Sequence, residues 1–461
     1  MFHIFRERVV PNMLDIFDHN LWSVVILRAS NIYPSLWHAI IATATAKHLS
    51  DLQQHGCSES RQENILSHYA LRHCNKAFSY LRQIEPENST PVDWEMLLLT
   101  CIVLIQYTLL HGNSSDALTH ISNGLTMSSL FQVGDTNKAM AFSSTTATFA
   151  TTIRSARHWF RRFEVALRMA PIRLAESLPD EFPELQISPD IPFTSLEDAY
   201  WELLSIDVRW KKTIRTEMVH AGYVKLKFIT DECKQLHGPF RIWQKKLIAL
   251  QKAMKPLQGD DSSNRVESIR RLVLRLLNLT LEALVMVNPG RGELAWDEFN
   301  DNFAGIVSLC ERILSKQKAI ASKQGSDPTD LTASSQFRSL IGLPLMATGA
   351  FCRVPHVRAR SLELMRNISF EDGVFDSDFF VRTFGRQKCF EEEGCVERPI
   401  ESGCICIRGV YVCNGHRVCQ ITFPISYAGQ PTKVTFLTAN DVERGEAGTE
   451  VSVCDTQEEA L

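Results

Sequence analysis

Between Cys395 and Cys419 the chain reads CVERPIESGCICIRGVYVCNGHRVC, which gathers five of its thirteen cysteines and His416 into twenty-five residues. Thiolates and imidazole are the ligands zinc favours, so the first question is whether this stretch can close a tetrahedron around a metal. From Cys389 onward the gaps between successive cysteines are five, eight, one, six and five residues. None is the two-residue knuckle by which a zinc site takes two sulfurs from one tight turn. Two-residue turns at Arg408-Gly409 and Asn414-Gly415 would instead fold the stretch into a three-stranded meander. Cross-strand pairing then sets Cys404 beside Cys413 and Cys413 beside His416, with Cys406 two along on the same face. Three sulfurs and an imidazole make a chemically sensible zinc set, but mid-strand side chains stand about 5 Å apart and do not readily converge on one ion. The expectation is therefore thiols packed as small hydrophobes, with no metal ligand, no cofactor and no catalytic residue assigned.

Three other stretches carry weaker chemical signals. GRGELA (290–295) has the spelling of a dinucleotide loop, yet such a loop must follow a strand so that a helix terminus can face the pyrophosphate. Here Asn288-Pro289 ends a helix, and a plain interhelical turn is expected. Asp260-Asp261 invites comparison with the aspartate-rich magnesium motif of helical terpene synthases, which needs carboxylates on one helix face and a second Asn/Ser/Glu triplet. Asn300-Asp301 fails as that triplet because Ala304 holds the serine position, and Asn440-Asp441 fails because Arg444 holds it. Asp261 also sits in a Ser-rich loop (258–264). The segment IRSARHWFRRFEVALRMAPIRL (153–174) carries Arg154, Arg157, Arg161, Arg162, Arg168 and Arg173. Phe160, Phe163, Val165, Leu167 and Met169 fall among them, which is the pattern of an amphipathic domain helix rather than of a phosphate-gripping one. The sequence contains no P-loop, His-Glu-x-x-His or Gly-x-Ser-x-Gly motif.

The elements that must position these residues are helices. Trp22, Val25, Ile26 and Ala29 follow helical spacing, as do Leu196, Ala199, Leu203, Ile206 and Trp210 behind the capping box Ser195–Asp198. The stripes Val266–Ala283 and Trp296–Ile313 repeat the pattern, and Pro355 opens another helix. The Ser/Thr-rich 142–152 and the Pro-rich 178–193 read as connectors. MLLLTCIVLIQYTLL (96–110) is fifteen residues long, short of the roughly twenty a spanning helix needs, so it is expected as a core helix with no membrane role. Past residue 386 the period drops to two, with turn signals at Arg408-Gly409, Asn414-Gly415 and Gly429-Gln430-Pro431. These readings give an all-α chain of roughly fifteen helices over residues 1–386, a Cys-rich β-hairpin or meander appendage over 387–439, and an acidic, disordered tail over 440–461. With a formal charge of −4 and a pI near 6.4 there is no overall basic field for nucleic acid. The opening MFHIFRERVV shows no secretory signal, so the thiols are expected reduced.

Seven segments in order, from IFRERVVPNMLDIFDHNLWSVVILRASNIYPSLWHAIIATATAKHL (4–49) through LLTCIVLIQYTLLHGNSSDALTHISNGLTM (98–127) to GLPLMATGAFCRVPHVRARSLELMRNISFEDGVFDSDFF (342–380), carry a resemblance. The chain resembles the helical regulatory domain of fungus-specific zinc-binuclear-cluster transcription factors. That family reads DNA with an N-terminal six-cysteine zinc module, whereas this sequence has no cysteine before Cys57. Two accounts stay open: a regulator without its own DNA reader, or a gene model whose start has been lost. The resemblance implies a non-enzymatic, nuclear regulator of transcription, cytoplasmic if a nuclear signal went with the missing module. Its partners would be other transcription proteins, such as a DNA-binding homologue, or a small-molecule effector. The chain alone would bind no specific DNA. The rival classes are a terpene-synthase-like helical enzyme and a cytosolic helical scaffold.

Overall fold

The structure is a computed structural model that describes residues 1–54, 60–84, 89–111, 114–129, 146–168, 190–215, 219–220, 223–226, 231–254, 262–324, 335–368, 377–397, 404–407, 409–424 and 433–453. Contacts divide the chain into two units, Met1–Leu185 with Ser326–Gln336, and Gln186–Gly325 with Phe337–Leu461. Both are built mainly of helices, in agreement with the all-α expectation.

In the first unit, short helical turns between Phe2 and Ala29 lead into α1 (Pro34–Gln54), α2 (Ser60–Leu81), α3 (Pro91–Leu110), α4 (Ser114–Ser129) and α5 (Thr146–Arg168). Helix α3 starts at a capping box: the Thr90 hydroxyl accepts from the Asp93 N–H, and the Asp93 carboxylate accepts from the Thr90 N–H at 2.9 Å. From Leu98 to Thr108 every residue is buried, because α1, α4 and α5 pack around α3. Ala39, Ala42, Ala44 and Ala46 let α1 approach closely, and the Thr43 hydroxyl donates across to the Val103 carbonyl at 3.2 Å. The apolar stretch 96–110 is thus part of a core helix, as its burial and not its length shows, since the whole helix Pro91–Leu110 reaches twenty residues. Helix α5 begins at Thr146, inside the stretch 142–152 that reads as a connector. Packing of Ile153, Ala156, Trp159 and Phe160 into the core overrides the modest helix propensity of its threonines.

The second unit holds α6 (Leu196–Arg215), α7 (His237–Ala253), α8 (Ser262–Met286), a 3-10 segment Pro289–Phe299, α9 (Asn300–Gln324), most of α10 (Ser335–Phe351), α11 (Pro355–Asn367) and α12 (Ser377–Glu397). Leu196, Ala199, Leu203, Ile206 and Trp210 are all buried, as their spacing requires. At the start of α6 the Ser195 hydroxyl accepts from Asp198 N–H at 3.1 Å, while the carboxylate reaches back to Thr194 N–H at 3.1 Å, one residue further than a simple capping box. GRGELA is an interhelical turn, with Gly292 at φ +57°, a conformation that residues with a Cβ adopt reluctantly. Asp260 and Asp261 lie outside the described residues, as do 178–189 and Gly429-Gln430-Pro431.

An antiparallel five-stranded sheet completes this unit, in the order β1 (Val219–His220), β2 (Tyr223–Leu226), β3 (Val418–Pro424), β4 (Lys433–Thr438) and β5 (Thr449–Ser452). Four features depart from the sequence reading, the first being that α12 continues as helix to Glu397, past the boundary expected at residue 386. Strands β1 and β2 interrupt the region read as wholly helical, and β2 pairs with β3, nearly two hundred residues away, with Val224 opposite Phe423. The small antiparallel β element expected near the C-terminus is present, but as β3, β4 and β5 and not over 404–416, where the described residues form one isolated bridge, Ile407 to Tyr411, and one 3-10 turn, Asn414–His416, before strand begins at Val418. Within the acidic stretch from Asn440, residues 440–453 carry a helix and a strand. There α13 (Ala439–Arg444) is held by a second capping box, Thr438 with Asp441, ends on Gly445, and leads into β5 against β4.

Candidate metal centre

Cys404, Cys406, Cys413 and His416 converge although no meander aligns them. Their ligand atoms all lie within 4.8 Å of one another. The His416 Nδ1 stands 3.6 Å from the Cys404 Sγ, 3.4 Å from the Cys406 Sγ and 3.3 Å from the Cys413 Sγ. A tetrahedral zinc ion, with bonds of about 2.3 Å to sulfur and about 2.0 Å to nitrogen, would set sulfur and nitrogen roughly 3.6 Å apart. An imidazole nitrogen carries either one proton or one lone pair, so ordinary hydrogen bonds do not explain three sulfurs around it.

The local chain explains the convergence. Cys413 is the N-cap of the 3-10 turn, and the His416 N–H returns to the Cys413 carbonyl at 3.2 Å, so the two side chains leave the same side of one tight turn. Gly415 sits where a Cβ would strike the Asn440 side chain at 2.3 Å, so the turn packs this closely only with glycine. Cys404 and Cys406 approach from the other arm of the bridge. Two backbone amides point at sulfur: Cys406 N–H at the Cys404 Sγ, 3.4 Å, and Cys413 N–H at the Cys406 Sγ, 3.1 Å. Such outer contacts favour the thiolate form a metal needs. Burial alone would raise the Cys413 thiol, but hydrogen bonding with Cys406, the His416 backbone and Cys404 brings it below its ordinary pKa.

The loop is inverted relative to a hydrophobic cluster. Its thiols and imidazole turn inward, while Ile405, Ile407 and Val410 are 65 %, 58 % and 66 % exposed. Burying an aliphatic side chain of that size stabilises by about 1.5–3 kcal/mol. A loop held by packing alone would put the isoleucines inside.

Immediately beyond His416 the chain is fixed to the helices. The Arg417 guanidinium donates to both Asp297 carboxylate oxygens at 2.8 and 2.7 Å, and to the Glu293 and Val412 carbonyls at 3.0 and 2.9 Å. The Val418 N–H donates to the Glu391 carboxylate at 2.9 Å, which also receives Arg353 at 2.6 Å and Arg358 at 2.8 Å. All three of these charged groups are buried. The two arginines hold the Glu391 carboxyl below its ordinary pKa against the opposing effect of burial.

The sequence alone picks out this set of four but not its scaffold. The overlooked signal is Cys413-Asn-Gly-His416, a two-residue knuckle between a thiol and an imidazole, invisible when only cysteine-to-cysteine gaps are counted. Cys419, the next cysteine, is elsewhere, its Sγ 3.5 Å from the Leu437 carbonyl. Cys395 lies outside the described side chains. The arginines of 153–174 are divided: Arg154 is exposed, Arg157 half-buried, and Arg161 and Arg162 buried, while the side chain of Arg168 and all of Arg173 lie outside the described residues. Arg162 pairs with Asp15 and lies over the Trp159 ring.

Residues 1–176 match the family described as the fungal specific transcription factor domain. The match falls within the first unit, and no DNA-binding module is evident there. The resemblance drawn from the sequence is therefore upheld over those residues. No curated protein matches the chain, and no solved structure does. The Cys/His centre lies in the second unit, outside the matched region.

Proposed function

We propose that this chain regulates transcription in the nucleus through another protein, or through an effector, rather than by reading DNA itself. The transcription-factor domain over residues 1–176 supports the class of function. The mode of action rests on α5, the most arginine-rich segment. A phosphate contact needs a cation free to leave its own protein for the duplex. Arg161 and Arg162 are each 8 % exposed, and Arg162 is committed to Asp15. The formal charge of −4 supplies no compensating field. The match to a transcription-factor domain over residues 1–176 favours this reading over terpene-synthase-like chemistry.

The test has two arms. Selection from a pool of random duplexes at about 0.15 M salt is expected to return no reproducible motif, and recovery of one by the chain alone would contradict the proposal. Fusion to an unrelated DNA-binding module is expected to change expression of a reporter carrying that module's site. A reporter left unchanged would remove the regulatory reading.

A further inference from the structure

We propose that Cys404, Cys406, Cys413 and His416 bind one zinc ion, and that this ion is the structural clasp of segment 404–416. The donor set is three thiols and one imidazole nitrogen, and His416 Nδ1 already stands 3.3–3.6 Å from all three sulfurs. On binding, three thiol protons leave to solvent and the neutral imidazole donates its Nδ1 lone pair, so a dication and three thiolates give a site of net charge −1. Four protein ligands complete the tetrahedron and leave no position for water or substrate, which makes the site structural rather than catalytic.

Harder ions fit less well. Magnesium and calcium ask for oxygen ligands, and the described cluster offers none. A disulfide would use two of the three thiols and strand the third beside the imidazole, whereas zinc uses all four groups. The inversion of the loop points the same way. Ile405, Ile407 and Val410 face solvent, so this segment has no apolar core of its own and needs another staple. The clasp also has a place to act. It closes directly before Arg417 and Val418, which tie the chain to Asp297 and Glu391. Zinc would thus fix the point from which β3 starts across the sheet. The inference does not depend on the transcriptional reading, since the site lies outside residues 1–176.

The full chain, purified without chelator in the presence of a reductant, is expected to carry one zinc per chain by elemental analysis. Cys413→Ser and His416→Ala are each expected to lose it, while Cys419→Ser, whose sulfur lies against the Leu437 carbonyl, keeps it. Should a ligand variant fail to fold, titration of the stripped wild-type chain with cobalt(II) alone gives an independent readout. Saturation at one equivalent, with intense visible ligand-field bands and sulfur-to-cobalt charge transfer, supports the site even if zinc was lost during purification. Absence of both zinc and those bands in the folded wild-type chain would overturn the proposal. So would zinc retained at one per chain in both Cys404→Ser and Cys413→Ser.

Discussion

Cysteine plays two different parts in this molecule. Cys74, Cys101 and Cys310 are buried in α2, α3 and α9, on faces shared with aliphatic and aromatic side chains. Burial pushes the Cys74 thiol up to about 11, that of Cys101 up to about 12, and that of Cys310 higher still. Such thiols are inert and act as small hydrophobes. Cys404, Cys406 and Cys413 instead surround an imidazole, receive backbone N–H groups at sulfur, and leave isoleucines in water to do so. Residue type is the same in both regions, and the difference lies in the neighbours. Where a cysteine interrupts a helical apolar stripe it belongs to the core. Where apolar residues alternate outward and thiols inward, the thiols have another purpose.

The contrast predicts a graded set of responses. Metal removal should have the largest effect, since structural zinc sites contribute on the order of 10–16 kcal/mol to the folding of the segments they hold. A strong chelator is expected to open amides between Cys404 and His416 to hydrogen exchange while Leu98–Thr108 in α3 stays protected. Equal protection of the loop with and without chelator would place its order in packing alone. Next comes the anchor beyond the loop. Glu391→Gln leaves Arg353 and Arg358 buried without their shared ion-pair partner, and breaking a buried pair typically costs about 3–5 kcal/mol. Denaturant unfolding should show that loss while zinc content stays unchanged, separating the anchor from the clasp.

Core thiols should respond more modestly. Cys310→Ser buries a hydroxyl where a thiol packed, at a cost of about 1–3 kcal/mol, with zinc content unaffected. Loss of metal from that variant would erase the distinction between the two populations. The smallest effect is expected at the outward-facing isoleucines. Ile405→Ser and Ile407→Ser should each change stability by no more than about 0.5 kcal/mol, because surface substitutions seldom do more. A large destabilisation there would mean that these side chains are buried in solution.

Local signals were legible in the sequence, and long-range ones were not. The stripe Leu196–Trp210 and the run Leu98–Thr108 are written in residue spacing, and both are buried as that spacing implies. The four members of the Cys/His centre could be named because they lie close in sequence. Their geometry is not legible there, because the stretch alternates like a strand, while the turn Asn414–His416, Gly415 against Asn440 and the Arg417 anchor fold it otherwise. Strands β1 and β2 could not be found from local pattern, since two and four residues make a sheet only with β3 supplied from the far end of the chain. The ordered stretch after Thr438 was legible in principle. Thr438 and Asp441 spell a helix start, but the acidic composition of the stretch as a whole outweighs that three-residue signal when the sequence is read alone.

X-ray absorption at the zinc edge of the purified full chain tests the account most directly, because it reports the atoms around the metal and not merely its presence. Three sulfurs at about 2.3 Å and one nitrogen at about 2.0 Å are expected, with the sulfur count falling to two in Cys413→Ser wherever metal is retained. A shell of oxygens and nitrogens, or one unchanged by that substitution, would show that these four residues do not hold the ion.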